Sequence, residues 1–194
     1  MTNKEIITDL YKDVLPESWE ILGSSKLIDL VDINISAGVL DIGCGSGKIT
    51  ELLSYECEHI LAVDIQDQMI EFARENHSRS NIEYLCTDFM DLQLSENAYN
   101  IVIANNSFFN IEDKLALLTK VRFILKQGGT LIFSDITDRL NQDMPEGYHC
   151  ISVTEYLNLL NTVGFSNITF ISEENKIRDG QYSGTLQAIF KMNK

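Results

Sequence analysis

Residues Gly38 to Thr50 read G-V-L-D-I-G-C-G-S-G-K-I-T, and this stretch decides the fold. The apolar run Val39, Leu40 and Ile42 ends at three alternating glycines, Gly43, Gly45 and Gly47. Ile49, Leu52 and Leu53 then recur at helical spacing. The pattern predicts a strand, a tight turn and the start of a helix, with the glycines in the turn. Glycine permits backbone angles and close approaches that a Cβ would block. The product is a cradle of peptide N–H groups beside a helix N-terminus, suited to a polar or anionic group of a nucleotide-like ligand. In an open α/β sheet such a turn lies at the carboxyl ends of the strands, where ligands bind.

Working outward, alternating strands and helices follow. Before the glycine turn, Lys4 to Val14 and Ser24 to Val31 are expected helices, and Tyr11 and Trp19 are candidates either for packing or for a cover over a ligand cleft. After it, Ile60 to Asp64 reads as a second strand, Asp67 to Asn76 as an amphipathic helix and Ile82 to Cys86 as a third strand. Asn100 to Ala104 reads as a fourth strand ending in Asn105 and Asn106. Asp113 to Lys126 is an expected helix with Leu117, Leu118, Val121, Ile124 and Leu125 on its apolar face, ended by Gly128 and Gly129. Thr130 to Ser134 is a fifth strand that closes at Asp135, and a polar loop runs on to Gly147. Ser152 and Glu155 have capping-box spacing for a helix that Gly164 stops. Ile168 to Ser172 and Ser183 to Phe190 complete the chain as an antiparallel hairpin at the sheet edge. Five strands in β/α alternation plus a hairpin imply a doubly wound, Rossmann-like seven-stranded sheet, mostly parallel, within a single domain. Residues 1–35 would form an N-terminal helical cover and 37–190 the sheet core.

Composition narrows the function. A formal charge of −14 over 194 residues opposes nucleic-acid backbones. Lys120, Arg122 and Lys126 read as a solvated helix face. The four cysteines, Cys44, Cys57, Cys86 and Cys150, form no C-x-x-C pair, so reduced structural thiols are expected and no metal site. Apolar runs are too short to span a bilayer, and Met1 to Leu10 lacks the form of a signal peptide, which makes a cytoplasmic, membrane-free protein the expectation.

Acids at strand ends carry the chemistry. Asp64 ends the second strand about 20 residues after the glycine turn, where a carboxylate can accept both hydroxyl hydrogens of a ribose, a solvent-facing cap being its alternative. Asp88 follows the third strand and is placed to accept from an adenine amine while Phe89 covers the ring; capping a helix is its alternative. Ile65 and Met69 are further candidates to flank the base. Asp41, Asp64 and Asp135 recur at the ends of strands one, two and five.

A dinucleotide fingerprint has the form G-x-G-x-x-G, whereas this turn is G-x-G-x-G preceded by Asp41, and no second mononucleotide half follows. The pattern resembles the class I S-adenosylmethionine-dependent methyltransferases. Asp41 to Gly47 resembles their first motif, Asp64 their ribose-binding acid and Asp88 their adenine-contacting acid. Asn105 and Asn106 resemble the fourth-strand motif, and Gly128-Gly129-Thr130-Leu131 the approach to their fifth strand. Asn100 departs from the acid usual at the start of the fourth strand. The resemblance implies S-adenosyl-L-methionine as cofactor, with Gly43, Gly45 and the backbone around Asn105 at its methionine end, Gly47 among the other cofactor-binding residues, and Asp41 ordering water or the amino group. It also implies in-line methyl transfer to an oxygen, nitrogen or carbon.

Asp135 and His149 are the candidates for removing a proton from an acceptor, and an exposed loop histidine is the alternative for His149. Asn106, Ser107, Phe108 and Phe109 are candidates to line the acceptor side, one of the two phenylalanines being core. No N/D-P-P-Y/F tetrapeptide follows the fourth strand, which disfavours amino-group methylation of the kind its bearers carry out. A small-molecule acceptor is the expectation. A protein acceptor, a cofactor-binding but non-catalytic partner subunit and a nicotinamide oxidoreductase are its alternatives.

Overall fold

A computed structural model describes residues 27, 29–31, 36–137, 147–176 and 182–194. The expected helix Lys4 to Val14, with Tyr11 and Trp19, lies outside the described residues, as does most of the polar loop before Gly147. Of the second expected helix, Leu27 and Asp29 are helical, and Leu27 is fully buried.

The chain runs β1 (Gly38–Ile42), α1 (Lys48–Ser54), β2 (His59–Asp64), α2 (Asp67–Asn76), β3 (Ile82–Cys86), β4 (Tyr99–Asn105), a short 3-10 turn (Phe108–Asn110), α3 (Lys114–Ile124), β5 (Leu125–Thr137), α4 (Val153–Val163), β6 (Ser166–Lys176) and β7 (Tyr182–Asn193). The seven strands form one sheet in the order β3-β2-β1-β4-β5-β7-β6. The first five are parallel, and β7 inserts antiparallel between β5 and β6. The order reverses beside β1, so β1 and β4 part at their carboxyl ends and open a crevice.

Alternation along the strands builds two cores. Leu40, Ile42, Val102 and Ala104 face Leu117, Leu118, Val121 and Ile124 of α3 and Tyr156 and Leu160 of α4. Val39, Ile60, Ala62, Ile101 and Ile103 join Ile49 and Leu53 of α1 and Ile70 and Ala73 of α2 in the other core. Each strand of the centre is thus covered on both faces, which explains why β1 and β4 read as continuous apolar runs.

Three local differences from expectation have physical causes. First, α3 ends at Ile124, not at Lys126, and Gly128 and Gly129 do not stop it. The backbone N–H groups of Asn97 and Ala98 donate to the carbonyls of Phe123 and Ile124, so the helix end is satisfied without a glycine. Leu125 already pairs with Tyr99 as strand, and the two glycines lie in the irregular lead-in to the β4 register. Second, the helix that Asp88 would cap under its alternative reading is not there, and the connector Thr87 to Ala98 between β3 and β4 holds turns. Third, the basic residues of α3 and its end are used. Arg122 Nε donates to the Gly164 carbonyl at 3.3 Å, and Lys126 Nζ donates to Asn100 Oδ1 at 2.9 Å. That amide oxygen also accepts from Gly38 N–H at 3.0 Å, so Asn100 ties the starts of β1 and β4 together. The capping box of α4 is present in both directions, with Gly164 at φ 93° as its stop.

Candidate functional site

The glycine turn is shaped by what would collide with it. A Cβ on Gly43 would meet Ser107 Cβ at 2.3 Å, so the turn after β1 packs directly on the loop after β4. Gly47, at φ 83°, lies against the Tyr84 hydroxyl and Ala73 Cβ, and it serves the packing of α1 rather than the cleft wall. Gly45 differs: its φ is also positive, yet nothing lies within 4 Å of the position its Cβ would take. That space is part of a cleft of about 1010 Å³, counted out to its open mouth, at the carboxyl ends of β1, β2, β3 and β4.

Asp64 stands in the wall of this cleft at the tip of β2. Its Oδ2 accepts from Gly45 N–H at 2.8 Å and its Oδ1 from Gln66 N–H at 2.9 Å. A carboxylate has about four lone-pair sites, so both oxygens retain capacity toward the cleft. Burial raises its pKa, and the N–H groups of Gln66, Gly45 and Ile65 oppose the rise. Asp41, only 2 % exposed, lies deeper and accepts from the Thr50 hydroxyl at 2.6 Å. Burial pushes its carboxyl up to about 7, the Thr50 hydrogen bond opposing and the Asp64 charge adding to the rise.

Along the next strand tip, Asp88 Oδ1 accepts from Met90 N–H at 2.8 Å, while Phe89, Ile65 and Met69 supply apolar wall. On the other side stand Asn105, Asn106, Ser107, Asn110 and Ile111. Asn105 is oriented by the Ser134 hydroxyl, which donates to its Oδ1 at 2.6 Å. Asn106 has φ 50°, and its N–H donates to the Ser134 carbonyl at 2.9 Å. Asn is among the few residues that tolerate this region.

Other expected site residues are placed elsewhere. Phe108 is fully buried, its ring centroid 4.8 Å from that of Phe133 in the core. Phe109 is 2 % exposed and packs on Tyr148 at 4.6 Å, so neither phenylalanine lines the cleft. Asp135 is also enclosed rather than facing the cleft. Its carboxylate accepts from Phe109 N–H at 3.0 Å and from the Tyr156 hydroxyl. Burial raises it to about 7, with the Tyr156 hydrogen bond and the Lys114 charge opposing. It anchors the loop after β4 from behind. His149 is half-buried, and its backbone N–H donates to the Phe109 carbonyl at 2.7 Å, outside the cleft wall. Tyr11 and Trp19 lie outside the described residues.

Thr50, Gln66, Asn110 and Ile111 belong to the site without having been signalled by the sequence. Thr50 lies nine positions from the acid it holds, and only the return of α1 along β1 joins them. Ser107, which the sequence does point to because it follows two asparagines at a strand end, lines the cleft.

The donor set fits S-adenosyl-L-methionine. Three carboxylates and no Lys, Arg or His line the cleft among the described residues, which favours a ligand carrying ammonium and sulfonium charge. The open face of Gly45 and the apolar wall beside Asp88 suit an amino-acid tail and a purine. Among the described residues, no group of three or more His, Cys, Asp or Glu is arranged to hold a metal ion, and no helix is long and apolar enough to cross a membrane.

Residues 40–133 match a family described as the methyltransferase domain. Malonyl-(acyl-carrier protein) O-methyltransferase of Acetivibrio thermocellus is 35% identical over 115 residues, covering 57% of this chain and 40% of that protein. The chain therefore spans about two fifths of that relative's length. Among solved structures, phosphoethanolamine N-methyltransferase 2 of Haemonchus contortus, bound to phosphomonomethylethanolamine and S-adenosylhomocysteine, superposes with a TM-score of 0.81 at 12% identity, covering 100% of this chain and 60% of that one. The 4+2 cyclase SpnF superposes with a TM-score of 0.78 at 17% identity, covering 100% of this chain and 97% of that one.

Proposed function

From a chain that has the fold of the class I S-adenosylmethionine-dependent methyltransferases and matches the methyltransferase-domain family over residues 40–133, we propose that the cleft binds S-adenosyl-L-methionine and that the protein methylates a small molecule. The observation that carries this reading is Asp64, held at the tip of β2 by two backbone N–H groups, one of them from the glycine turn, with its carboxylate in the cleft wall. The cofactor would supply a methyl group on a positively charged sulfur, which is already a good leaving group.

The chain's own residues then have limited tasks. Asp64 accepts from ribose hydroxyls; Asp88 accepts from the adenine amine, with Phe89, Ile65 and Met69 against the base. The backbone from Gly43 to Gly45 admits the amino-acid tail, and Asp41 faces its ammonium. Asn105, Asn106, Ser107, Asn110 and Ile111 form the side from which an acceptor approaches, where alignment and exclusion of water lower the barrier. With Asp135 enclosed and His149 outside the wall, neither is placed to take a proton from the acceptor. The reading therefore favours an acceptor atom that is nucleophilic without a protein base. The relatives include a malonyl-(acyl-carrier protein) O-methyltransferase and a phosphoethanolamine N-methyltransferase, which supports an oxygen or a nitrogen acceptor.

A cofactor-binding, non-catalytic partner subunit is the second reading. One observation favours it: the described acceptor-side wall holds no ionisable side chain. Calorimetry with S-adenosyl-L-methionine, followed by a labelled-methyl screen against metabolites, tests both. One cofactor per chain and a labelled product are expected. Binding without any labelled product supports the partner subunit. Tight NADH binding with no response to S-adenosyl-L-methionine would overturn both readings.

A further inference from the structure

The connector Thr87 to Ala98 carries Asp88 and Phe89, two walls of the cleft, yet it has no helix to order its backbone. Peptide carbonyls in such a turn need partners when water is displaced. Here a side chain from α3 supplies them. Lys120 Nζ donates to the carbonyl oxygens of Phe89 at 2.6 Å, Met90 at 2.9 Å and Leu92 at 2.7 Å. It also lies 4.7 Å from the centroid of the Phe89 ring. A lysine ammonium has three donors, so this one is fully used, and each bond is charge-assisted. Inside the turn, Asp88 Oδ1 accepts from Met90 N–H, the same residue whose carbonyl Lys120 holds. The turn is tied in turn to the ribose side, because Thr87 N–H donates to the Asp64 carbonyl at 2.8 Å.

We propose that Lys120 is a positioning residue for the nucleobase end of the cleft: by gathering three carbonyls of the connector it fixes the Asp88 carboxylate and the Phe89 ring, and so sets the preference for a purine bearing an exocyclic amine. The inference rests on the cleft being an S-adenosyl-L-methionine site. Lys120 touches neither cofactor nor acceptor in this scheme. It acts through Asp88 and Phe89.

The test compares S-adenosylhomocysteine with S-inosylhomocysteine, in which a carbonyl replaces the amine, by calorimetry on the wild-type chain, Lys120→Met and Lys120→Arg. The wild type is expected to prefer the adenosyl ligand by about tenfold or more, the value of one hydrogen bond to a charged group. Lys120→Met should lower that ratio to below about threefold, as a displaced Asp88 no longer reads the amine. Lys120→Arg keeps the charge, but a planar fork cannot converge on three carbonyls, so its ratio should fall between the two. A merely structural lysine would lower the melting temperature and leave the ratio alone. An unchanged ratio in both variants overturns the inference, and should Lys120→Met not fold, an unchanged ratio in Lys120→Arg alone does so. A wild type that binds both ligands alike overturns the inference and spares the proposed function. A wild type that binds neither overturns both.

Discussion

Replacing Asp41 by Asn should make the ligand-free protein more stable at alkaline pH and leave its stability in acid much less changed. Asp41 is 2 % exposed, and burial raises its carboxyl from 3.8 to about 7. Ionising it in the folded chain therefore costs about 4 kcal/mol, at about 1.4 kcal/mol per pH unit. The sign follows from proton linkage. The folded state keeps this proton over a range where the unfolded chain has lost it, so stability falls as pH rises from the unfolded value toward 7 and levels off above it. Asn cannot ionise, and its Oδ1 can still accept from the Thr50 hydroxyl that Asp41 holds at 2.6 Å. Between about pH 5 and pH 8 the wild type should lose roughly 3 kcal/mol relative to Asp41→Asn. Asp135, also raised to about 7, adds the same slope to both proteins and cancels in the difference. Urea unfolding followed by circular dichroism at the two pH values measures it. A difference between the proteins that stays flat to within about 0.5 kcal/mol would refute the assignment of a buried, late-titrating carboxyl at this position.

Asp64→Ala should weaken S-adenosylhomocysteine binding by about 100-fold or more in calorimetry, since it removes charged hydrogen bonds to the ribose and also the tether on Gly45 N–H. An effect within threefold of wild type would remove the ribose role. Phe108→Ala should cost about 3–5 kcal/mol of unfolding free energy by cavity formation, because the ring is fully buried against Phe133. A surviving fold should keep its ligand affinity, and a specific loss of affinity at normal stability would return Phe108 to the cleft. Gly47→Ala should destabilise by about 1–3 kcal/mol, since the new Cβ meets the Tyr84 hydroxyl at 2.6 Å with φ at 83°. A neutral result in thermal unfolding would contradict the packing role given to this glycine.

The sheet and the wall of the cleft at the tips of β2 and β3 were legible because they depend on local pattern. Apolar runs, glycine spacing and an acid at a strand tip are consecutive features, and Asp64 and Asp88 needed no long-range information to be picked out. The opposite wall depended on which way each side chain turns after β4, and spacing does not encode that. Phe108 and Phe109 fell into the core because the 3-10 turn at Phe108–Asn110 directs both rings inward, leaving Ser107, Asn110 and Ile111 in the wall. Asp135 ends the core of a strand as Asp64 does, but β5 runs on to Thr137 and pairs with β7, so the carboxylate is enclosed with Tyr156. Lys120 had the look of a solvated helix residue. Only the absence of a helix between β3 and β4 gives its ammonium three carbonyls to hold.

The most direct measurement is a crystal structure of the protein with S-adenosylhomocysteine. The expected result has the ribose hydroxyls within hydrogen-bond distance of the Asp64 carboxylate, the purine beside Asp88 and Phe89, and the homocysteine tail over Gly43 to Gly45. A ligand bound elsewhere, or an empty cleft with Asp64 turned to solvent at saturating ligand, would contradict it.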